Sequence, residues 1–240
     1  MTIRIAMWSG PRNISTAMMR AWDARSDCTV MDEPFYGAYL ASTGLQHPMR
    51  AEILAAHPVD WEQIADECGA RADAPIIYQK HMCQHMTEDA PLDWTASCRH
   101  AFLIRPPEEV AASFGAKWEG FGPDDLGFRR QAELFDHVSS LMGQPAPVIE
   151  ARDVLTDPDG MLRALCDALD VVFDPAMLSW KPGRRSTDGI WAAHWYGSVE
   201  ASSGFSPPRP AQDCPESLRE IADACRPHYE SLAAHLLRPI

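Results

Sequence analysis

Short apolar runs alternate along the chain with longer stretches in which apolar residues recur every three or four positions. Runs of this length are typical of buried strands, and the recurring positions mark one face of a helix. The pattern predicts strands at residues 3–8, 28–31, 75–78, 101–104 and 148–151. It predicts helical faces at residues 14–22, 61–68, 134–142, 161–169 and 218–236, and a helix start at Pro106-Pro107.

Strands that are separated by helices indicate a mostly parallel sheet that is covered on both faces. We therefore expect an α/β fold of three layers, with a mostly parallel central sheet flanked by helices. Residues 202–215 are rich in Pro, Ser and Gly, which favours an ordered loop or a linker. We expect a single domain over residues 1–240, with the loop and helix of residues 200–240 packed on it.

Acidic residues outnumber basic ones, with 34 Asp and Glu against 21 Lys and Arg and a formal net charge of −13. Such a chain repels the phosphates of nucleic acids and of anionic membranes over most of its surface, so neither is an expected partner. A small anionic ligand is compatible with this charge only where the few cations gather at one site.

The seven cysteines are scattered along the chain and form no CxxC pair. In a chain of this length they are typical of reduced thiols rather than of a disulfide framework. The apolar stretch at the N-terminus is too short for a signal peptide, and no run reaches the ~18 apolar residues of a membrane span. We expect a soluble, cytoplasmic protein.

Residues 9–16, SGPRNIST, follow the first predicted strand and lead directly into a helix. In parallel sheets ligands bind at the carboxyl ends of the strands, and a helix N-terminus favours phosphate or sulfate. Arg12 adds a cation to this segment, and Ser15 and Thr16 add hydroxyl donors. The GxxxxGK[ST] pattern of a Walker A loop is absent. An ordinary helix capped by Ser15 or Ser9 is the alternative interpretation.

Two further basic features stand out in so acidic a chain. Arg105 ends the fourth predicted strand, and Ser113 comes eight residues later on the following helix. This pair is placed to reach a second phosphate, and a surface ion pair from Arg105 to Glu108 or Glu109 is the alternative. The other feature is the sequence KPGRR at residues 181–185. It is either part of the same site or a solvated loop.

Together these segments resemble the sulfotransferases that use 3′-phosphoadenosine 5′-phosphosulfate. The 5′-phosphosulfate loop of that family reads approximately Pro-Lys/Arg-Ser-Gly-Thr-Thr, and residues 11–16 are similar in register, with Ile14 at the position of the glycine. The 3′-phosphate site of the family is an Arg that ends a strand and a Ser eight positions on, which is the spacing of Arg105 and Ser113. Residues 181–191 lie where the family has a basic segment that closes over the nucleotide.

The resemblance implies a P-loop-like fold, with 3′-phosphoadenosine 5′-phosphosulfate as co-substrate and no metal. It implies transfer of a sulfuryl group to a hydroxyl or an amine of a small-molecule acceptor, and it leaves the oligomeric state open. Arg12 would neutralise the charge that develops on the leaving oxygen. The residues expected to bind the nucleotide are Gly10, Arg12, Asn13, Ser15, Thr16, Arg105, Ser113, Arg184 and Arg185.

A general base must take the proton of the acceptor. Some sulfotransferases use a Glu and others use a His in a Lys-x-His motif, whereas here His81 directly follows Lys80. We expect Glu33, at a Pro turn after the second strand, to be the base, with His81 as the second candidate and Lys80 as an electrostatic helper. The alternatives are a turn residue for Glu33 and a hydrogen-bonded structural histidine for His81.

Two other groups of residues are compatible with more than one role. His81, Cys83 and His85 have a spacing that a zinc site can use, but no further Cys/His pair lies at ligand spacing, so no metal is expected. Four aromatic residues are compatible with three roles: lining an acceptor pocket, stacking on adenine, or packing a loop on the core. They are Trp180, Trp191, Trp195 and Tyr196.

Two rival functions fit the same fold. A P-loop kinase or nucleotide hydrolase would use ATP, but the Walker A lysine is missing and no evident Mg²⁺-binding Asp follows an apolar strand. A catalytically silent nucleotide-binding module is the other rival, because Ile14 and the Lys80-His81 pair depart from the pattern of the family.

Overall fold

A parallel sheet of five strands lies at the centre of the computed structural model, which describes residues 2–70, 73–210 and 213–240. The strands are β1 (Ile3–Ser9), β2 (Cys28–Asp32), β3 (Ile76–Met82), β4 (Arg99–Ile104) and β5 (Val148–Glu150). Their order in the sheet is β2-β3-β1-β4-β5, which makes β1 the central strand. The predicted α/β fold with a parallel sheet is confirmed, and β3 continues to Met82, beyond its predicted end at residue 78.

Helices connect successive strands. They are α1 (Ser15–Asp23), α2 (Tyr36–Thr43), α3 (Arg50–Ala56), α4 (Trp61–Gly69), α5 (Pro107–Gly115), α6 (Phe128–Met142), α7 (Ala151–Thr156), α8 (Pro158–Ala168), α9 (Ala192–Trp195), α10 (Gly197–Glu200) and α11 (Arg219–Ala233). The periodicity does not predict α2 or α3, because the first five residues of α2 are all buried and α3 is only two turns long.

Alternate residues of β1 enter two different cores, because side chains along a strand point to opposite faces of the sheet. Ile5 and Met7 pack on the face that α1 and α8 cover. Ala6 and Trp8 pack on the other face, against residues of α4 and α6. The sheet is therefore covered on both sides, as the alternation of strands and helices predicts.

The carboxyl ends of the inner strands lie side by side. Ser9, the last residue of β1, is paired with Met82 of β3 and with Leu103 of β4. The loop after β2 joins the same edge, since Glu33 donates a backbone hydrogen bond to the Lys80 carbonyl at 3.0 Å. In parallel sheets this edge is where ligands bind.

A buried ion pair attaches the connection between α8 and α9 to the body of α1. Both Nη atoms of Arg20 donate to the carboxylate of Asp188, at 2.5 and 2.7 Å, and the two side chains are 1% and 0% exposed. The amide of Gly189 donates to Asp32 Oδ2 at 3.0 Å. These bonds hold the segment that leads into α9 against α1 and the end of β2.

The C-terminal helix α11 packs against α5 and α6. Beyond it, the amide of Leu237 donates to the carbonyl of Val148 in β5 at 2.8 Å. Within residues 2–70, 73–210 and 213–240, no helix has the length and apolar character that crossing a membrane requires.

Candidate active site

The loop after β1 has an unusual backbone. Arg12 and Ile14 adopt positive φ angles of 65° and 56°, a conformation that is rare for a β-branched side chain. Ile14 occupies the N-cap position of α1 without capping it by a side chain. The first amides of α1 therefore have no partner within the helix, and the positive end of the helix dipole is open to an anion.

Gly10 and Asn13 fix this loop to the protein rather than lining the space above it. A Cβ on Gly10 would lie 2.7 Å from the carbonyl oxygen of Leu126, so a larger residue does not fit without movement. Asn13 is buried, and its Nδ2 donates to the carbonyl of Leu103 at the end of β4 at 3.3 Å. Both residues shape the loop, while Arg12, Ser15 and Thr16 line a cavity beside it.

Arg12 and Arg105 lie next to each other at this edge of the sheet. Arg12 Nε donates to Ser113 Oγ at 2.9 Å, and Arg105 Nη1 donates to the carbonyl of Arg12 at 3.0 Å. Partial burial and the like charge of Arg105 lower the pKa of the Arg12 guanidinium. Two guanidinium groups that repel each other form a site that an anion would stabilise.

A carboxylate holds Arg105 in place from the other side. Glu109 Oε2 accepts from Arg105 Nε at 2.9 Å, and Glu109 Oε1 accepts from Arg152 Nη2 at 2.9 Å. Partial burial opposes the ionisation of Glu109, but the hydrogen bonds from Arg152 and Arg105 hold its pKa below its ordinary value. Arg105 forms the ion pair with Glu109 that was the alternative interpretation of this residue. It coexists with the contact to the loop of Arg12.

These residues line one cavity of about 540 Å³ at the carboxyl edge of the sheet. We call Arg12, Arg105 and Arg152 the arginine group. The cavity also contains Lys80 of β3 and residues that follow β2 and β3, in the other half of the sheet: Glu33, Tyr36, Tyr39, Gln84 and His85. A further wall is the segment after α10, including Arg209. The volume is in the range of small-molecule sites.

A buried cluster of charges lies on the β2–β3 side of the cavity. Lys80 Nζ donates to Glu33 Oε1 at 2.5 Å, to Asp32 Oδ1 at 3.0 Å and to the Tyr196 hydroxyl at 2.5 Å. Tyr196 in turn donates to Asp32 at 2.7 Å. We call these four residues the Lys80 cluster. Glu33 has a φ of 45°, so the turn that carries the base candidate is strained.

Burial and charge act in opposite directions on this cluster. Burial works against the charge of Lys80, but Asp32 and Glu33 raise its pKa, so Lys80 stays protonated. Burial raises the pKa of Glu33, with Lys80 opposing that rise. A single ammonium group cannot neutralise both carboxylates. Glu33 therefore has a high affinity for a proton, as a base in the cavity requires.

His81 lies on the opposite face of the sheet from Lys80, because the two residues are neighbours on β3. Its ring stacks on Trp8 at 4.6 Å between ring centroids, and its Nε2 lies 3.1 Å from Gln79 Oε1. Burial lowers the pKa of His81 to about 3. The structure does not bring His81 to the cavity, and it gives this residue the contacts of a structural histidine.

His85, which the sequence connected only with a possible zinc spacing, does line the cavity. Its Nδ1 lies 3.8 Å from Glu33 Oε2. Within the described parts of the chain, no cluster of three or more His, Cys, Asp and Glu side chains is arranged to hold a metal ion.

Aromatic rings form the wall of the cavity beside the Lys80 cluster. The ring of His85 stacks on Tyr36 at 4.4 Å and on Tyr39 at 4.8 Å, and His47 lies 5.3 Å from Trp118. We call Tyr36, Tyr39, His47, His85 and Trp118 the ring group. Of the four aromatic residues singled out in the sequence, Trp195 and Tyr196 line the cavity, whereas Trp180 and Trp191 are buried in the core.

A family model described as Sulfotransferase domain matches residues 3–236 of the chain. The chain belongs to the sulfotransferase domain family.

Two curated proteins of Arabidopsis thaliana are similar to this sulfotransferase domain. Branched-chain-amino-acid aminotransferase-like protein 2 is 33% identical over 244 residues, and the match covers 97% of this chain and 42% of that protein. Branched-chain-amino-acid aminotransferase-like protein 1 is 33% identical over 237 residues, again with 97% and 42% covered. The chain therefore spans about two-fifths of the length of these relatives.

Solved structures of sulfotransferases have the same fold. The sulfotransferase domain of the curacin biosynthetic pathway is 15% identical with a TM-score of 0.52, and the match covers 94% of this chain and 98% of that one. The sulfotransferase from Alicyclobacillus acidocaldarius is 11% identical with a TM-score of 0.55, covering 98% of this chain and 95% of that one. At these identities the likeness supports the fold.

The basic segment at residues 181–185 lies elsewhere on the sulfotransferase domain. Arg185 Nε donates to Asp23 Oδ2 at 3.3 Å, at the C-terminal end of α1, roughly 12 Å of helix away from the N-terminal turn that faces the cavity. Arg184 is exposed, and neither arginine lines the cavity. The cavity instead contains Arg152 and Arg209, which sequence reasoning missed. Arg152 could have been identified, since it directly follows the strand predicted at residues 148–151.

Proposed function

We propose that this sulfotransferase domain transfers a sulfuryl group from 3′-phosphoadenosine 5′-phosphosulfate to a hydroxyl or an amine of a small-molecule acceptor. One observation carries the proposal: a single cavity combines a cationic anion site with a buried proton acceptor. Arg12 and Arg105 lie on one side of the cavity and Glu33 on the other. Membership of the family supports sulfuryl transfer, and the two groups supply its requirements.

The donor would be held by the loop of Arg12 and the start of α5. The open amides of the first turn of α1, with Ser15 and Thr16, suit the 5′-phosphosulfate. Arg105 and Ser113 suit the 3′-phosphate, as the family spacing implies. Burial and the repulsion from Arg105 lower the pKa of Arg12, and a bound anion would offset both effects. The closing role of Arg184 and Arg185 stays a prediction.

Sulfuryl transfer needs charge stabilisation and a proton acceptor rather than extensive covalent chemistry by the protein. The donor supplies the sulfuryl group on a mixed anhydride with phosphate. Arg12 would stabilise the negative charge that the departing bisphosphate gains, and Lys80 would keep Glu33 oriented through its 2.5 Å hydrogen bond. The carboxylate of Glu33 would accept the proton that the acceptor loses. None of these roles requires a metal.

The ring group indicates which class of acceptor the cavity would bind. Tyr36, Tyr39 and Trp118 present flat apolar surfaces, and the nearby charged side chain of Asp125 also lines the cavity. Rings of this kind bind flat, ring-bearing molecules, and the acidic side chain of Asp125 beside them disfavours an anionic acceptor at this wall. We also propose a cytoplasmic location, which the seven free cysteines support.

Calorimetry with adenosine 3′,5′-bisphosphate, the product of the donor, tests the anion site directly. We expect binding without Mg²⁺ and a loss of at least about tenfold in affinity in Arg105→Ala, because charge-assisted hydrogen bonds contribute about 1.5–3 kcal/mol each. Arg163→Ala is the matched control, since Arg163 pairs with Asp159 on the surface of α8, and it should bind as the wild type does.

Transfer itself is measured with radiolabelled donor and a panel of hydroxylated and amino compounds. Labelled product that depends on Arg12 supports the proposal. Binding of ATP with Mg²⁺ but not of the bisphosphate would favour a kinase or hydrolase. Bisphosphate binding with neither transfer to any member of a broad panel nor hydrolysis of the donor would favour the silent module.

A further inference from the structure

His85 is held rigidly at the wall of the cavity. It ends the short 3-10 helix Cys83–His85, which follows β3 directly. Its ring lies nearly parallel to that of Tyr36, with 8° between the planes, and it also stacks on Tyr39. Two stacking partners leave the imidazole little freedom to rotate. No local sequence pattern places His85 there, because both stacking partners lie on α2.

The Nδ1 atom of His85 faces a carboxylate oxygen. Nδ1 is buried without a hydrogen-bond partner among the described residues, and Glu33 Oε2 lies 3.8 Å away. The other oxygen of that carboxylate, Oε1, is held by Lys80 at 2.5 Å. Glu33 is thus anchored through one oxygen and presents the second to the imidazole. With Nδ1 turned to Glu33, Nε2 is the ring nitrogen left for the cavity.

We propose that Glu33 and His85 act as a dyad, in which His85 Nε2 takes the proton of the acceptor while Glu33 orients the ring through Nδ1. The proposal rests on the proposed sulfuryl transfer and assigns its base. It modifies the role expected for Glu33 from the sequence, because Glu33 becomes the positioning residue and His85 the catalytic one. A carboxylate that fixes the tautomer of a histidine is a recurring device in proton transfer.

The charges around the ring favour this division of roles. Burial, together with the charges of His47 and Lys80, lowers the pKa of His85, so the imidazole is neutral before reaction. Asp32 neutralises Lys80, which leaves the charge of Glu33 to stabilise an imidazolium when one forms. The gap of 3.8 Å needs to close by about 1 Å for a full hydrogen bond, and catalytic hydrogen bonds commonly tighten when substrate binds.

The step is balanced in atoms and charge. The O–H bond of the acceptor breaks and its proton goes to His85 Nε2, while the acceptor oxygen forms a bond to sulfur. The bond from sulfur to the phosphate oxygen of the donor breaks, and its electron pair leaves with the bisphosphate. The imidazolium then returns its proton to water. An amine acceptor loses an N–H proton in the same way.

Steady-state kinetics of His85→Gln and Glu33→Gln provide the first test. We expect His85→Gln to lower kcat by about 10²–10⁴-fold, the range of general-base effects. Its affinity for adenosine 3′,5′-bisphosphate should stay within about threefold of wild type, because His85 lies outside the arginine group. Glu33→Gln should lose less in kcat. His228→Gln on α11 is the control and should retain wild-type kcat.

Chemical rescue provides a readout that a purely structural role would not give. In His85→Ala, added imidazole should restore part of kcat, with a rate that rises as the imidazole becomes neutral. The contribution of His85 to the acidic limb of the kcat–pH profile should be absent in His85→Gln. The other groups that face His85 and contribute to that profile are Glu33, Tyr36, Tyr39, His47 and Lys80. His81, on the opposite face of the sheet, also lowers the pKa of His85 through its charge.

Three outcomes separate this proposal from the one on which it rests. If wild type transfers the label and His85→Gln keeps kcat within threefold, the dyad is wrong and the proposed function stands. If Glu33→Gln abolishes transfer while imidazole does not rescue His85→Ala, Glu33 alone is the base and the dyad is again wrong. If wild type binds no bisphosphate, the proposed function fails and the dyad fails with it.

Discussion

Arg12 and Ser113 are 101 positions apart in the chain, yet Arg12 Nε donates to Ser113 Oγ at 2.9 Å. The contact joins the loop after β1 to the helix after β4. It is possible because β1 and β4 are parallel neighbours, so that Ser9 and Leu103 end at the same level of the sheet. The two predicted phosphate-binding segments are therefore one surface even before a ligand is considered.

Ser113→Ala should weaken binding of adenosine 3′,5′-bisphosphate by about fivefold, because one hydrogen bond contributes about 1 kcal/mol net. The hydroxyl either contacts the ligand or orients Arg12, and both roles are lost in the variant. Calorimetry measures the change. Ser231→Ala removes a hydroxyl that bonds only to the His228 carbonyl on α11 and should bind normally. Equal affinities in the two variants would contradict the assignment.

Arg20→Ala should destabilise the protein by about 3–5 kcal/mol, because it leaves the buried carboxylate of Asp188 without its partner. Asp188 also accepts from the amide of Arg185 at 2.7 Å, so the whole connection loses its anchor. Urea unfolding measures the loss.

Arg163→Ala breaks an exposed pair with Asp159, whose side chains are 46% and 47% exposed, and should lower the free energy of unfolding far less than Arg20→Ala does. Similar losses in Arg20→Ala and Arg163→Ala would show that the buried pair has no special role in the anchor.

Because of its buried histidines, we expect the protein to be less stable in acid than at neutral pH. Burial lowers the pKa of His81 to about 3 and of His100 to about 4, whereas both return to an ordinary value of 6.5 on unfolding. The unfolded chain binds these protons more readily, so the free energy of unfolding falls as the pH drops below about 6.5. Each histidine contributes at most about 1.4 kcal/mol per pH unit. Glu33, whose pKa burial raises, acts in the opposite sense.

Urea unfolding between about pH 7 and pH 5 tests this pH dependence. His81→Phe keeps an aromatic ring beside Trp8 and removes one of the histidines whose pKa burial lowers. Its stability should therefore decline less steeply with acidification than that of wild type. Parallel curves for the two proteins would mean that His81 takes no part in the pH dependence.

Gly10→Ala should lower stability by about 1–3 kcal/mol, because its Cβ would stand 2.7 Å from the Leu126 carbonyl oxygen. The same displacement moves the loop of Arg12, so affinity for the bisphosphate should fall as well. Gly197→Ala is the matched control, since its Cβ would meet no heavy atom within 4 Å. Thermal unfolding compares the two, and equal melting temperatures would contradict the predicted clash.

The fold could be predicted because strand and helix patterns are local. The same reasoning ended β3 at residue 78, since Gln79, Lys80 and His81 are polar, although all three are buried in the structure. Their partners are distant in sequence: Lys80 bonds to Glu33, 47 positions away. With β3 extended to Met82, the alternation of faces alone would have separated Lys80 from His81.

The remainder of the site depends on contacts that no local pattern indicates. His85 is placed by stacking on α2, and Tyr196 reaches the Lys80 cluster across 116 positions. The basic segment at residues 181–185 was expected near the nucleotide because of the resemblance to the family. In the structure Arg185 pairs with Asp23 at the C-terminal end of α1, and the closing role of the segment stays a prediction.

The strand order β2-β3-β1-β4-β5 separates the two halves of the cavity by origin. The arginine group comes from segments that follow β1, β4 and β5, and the Lys80 cluster comes mainly from β2 and β3. His47 and Trp118 come from connections outside the sheet, where they contact each other at 5.3 Å. Substitutions at these two positions can reshape the proposed acceptor wall while the sheet and both charged groups stay intact. We therefore expect acceptor preference to change through substitutions at few positions, without loss of the groups that would bind the donor.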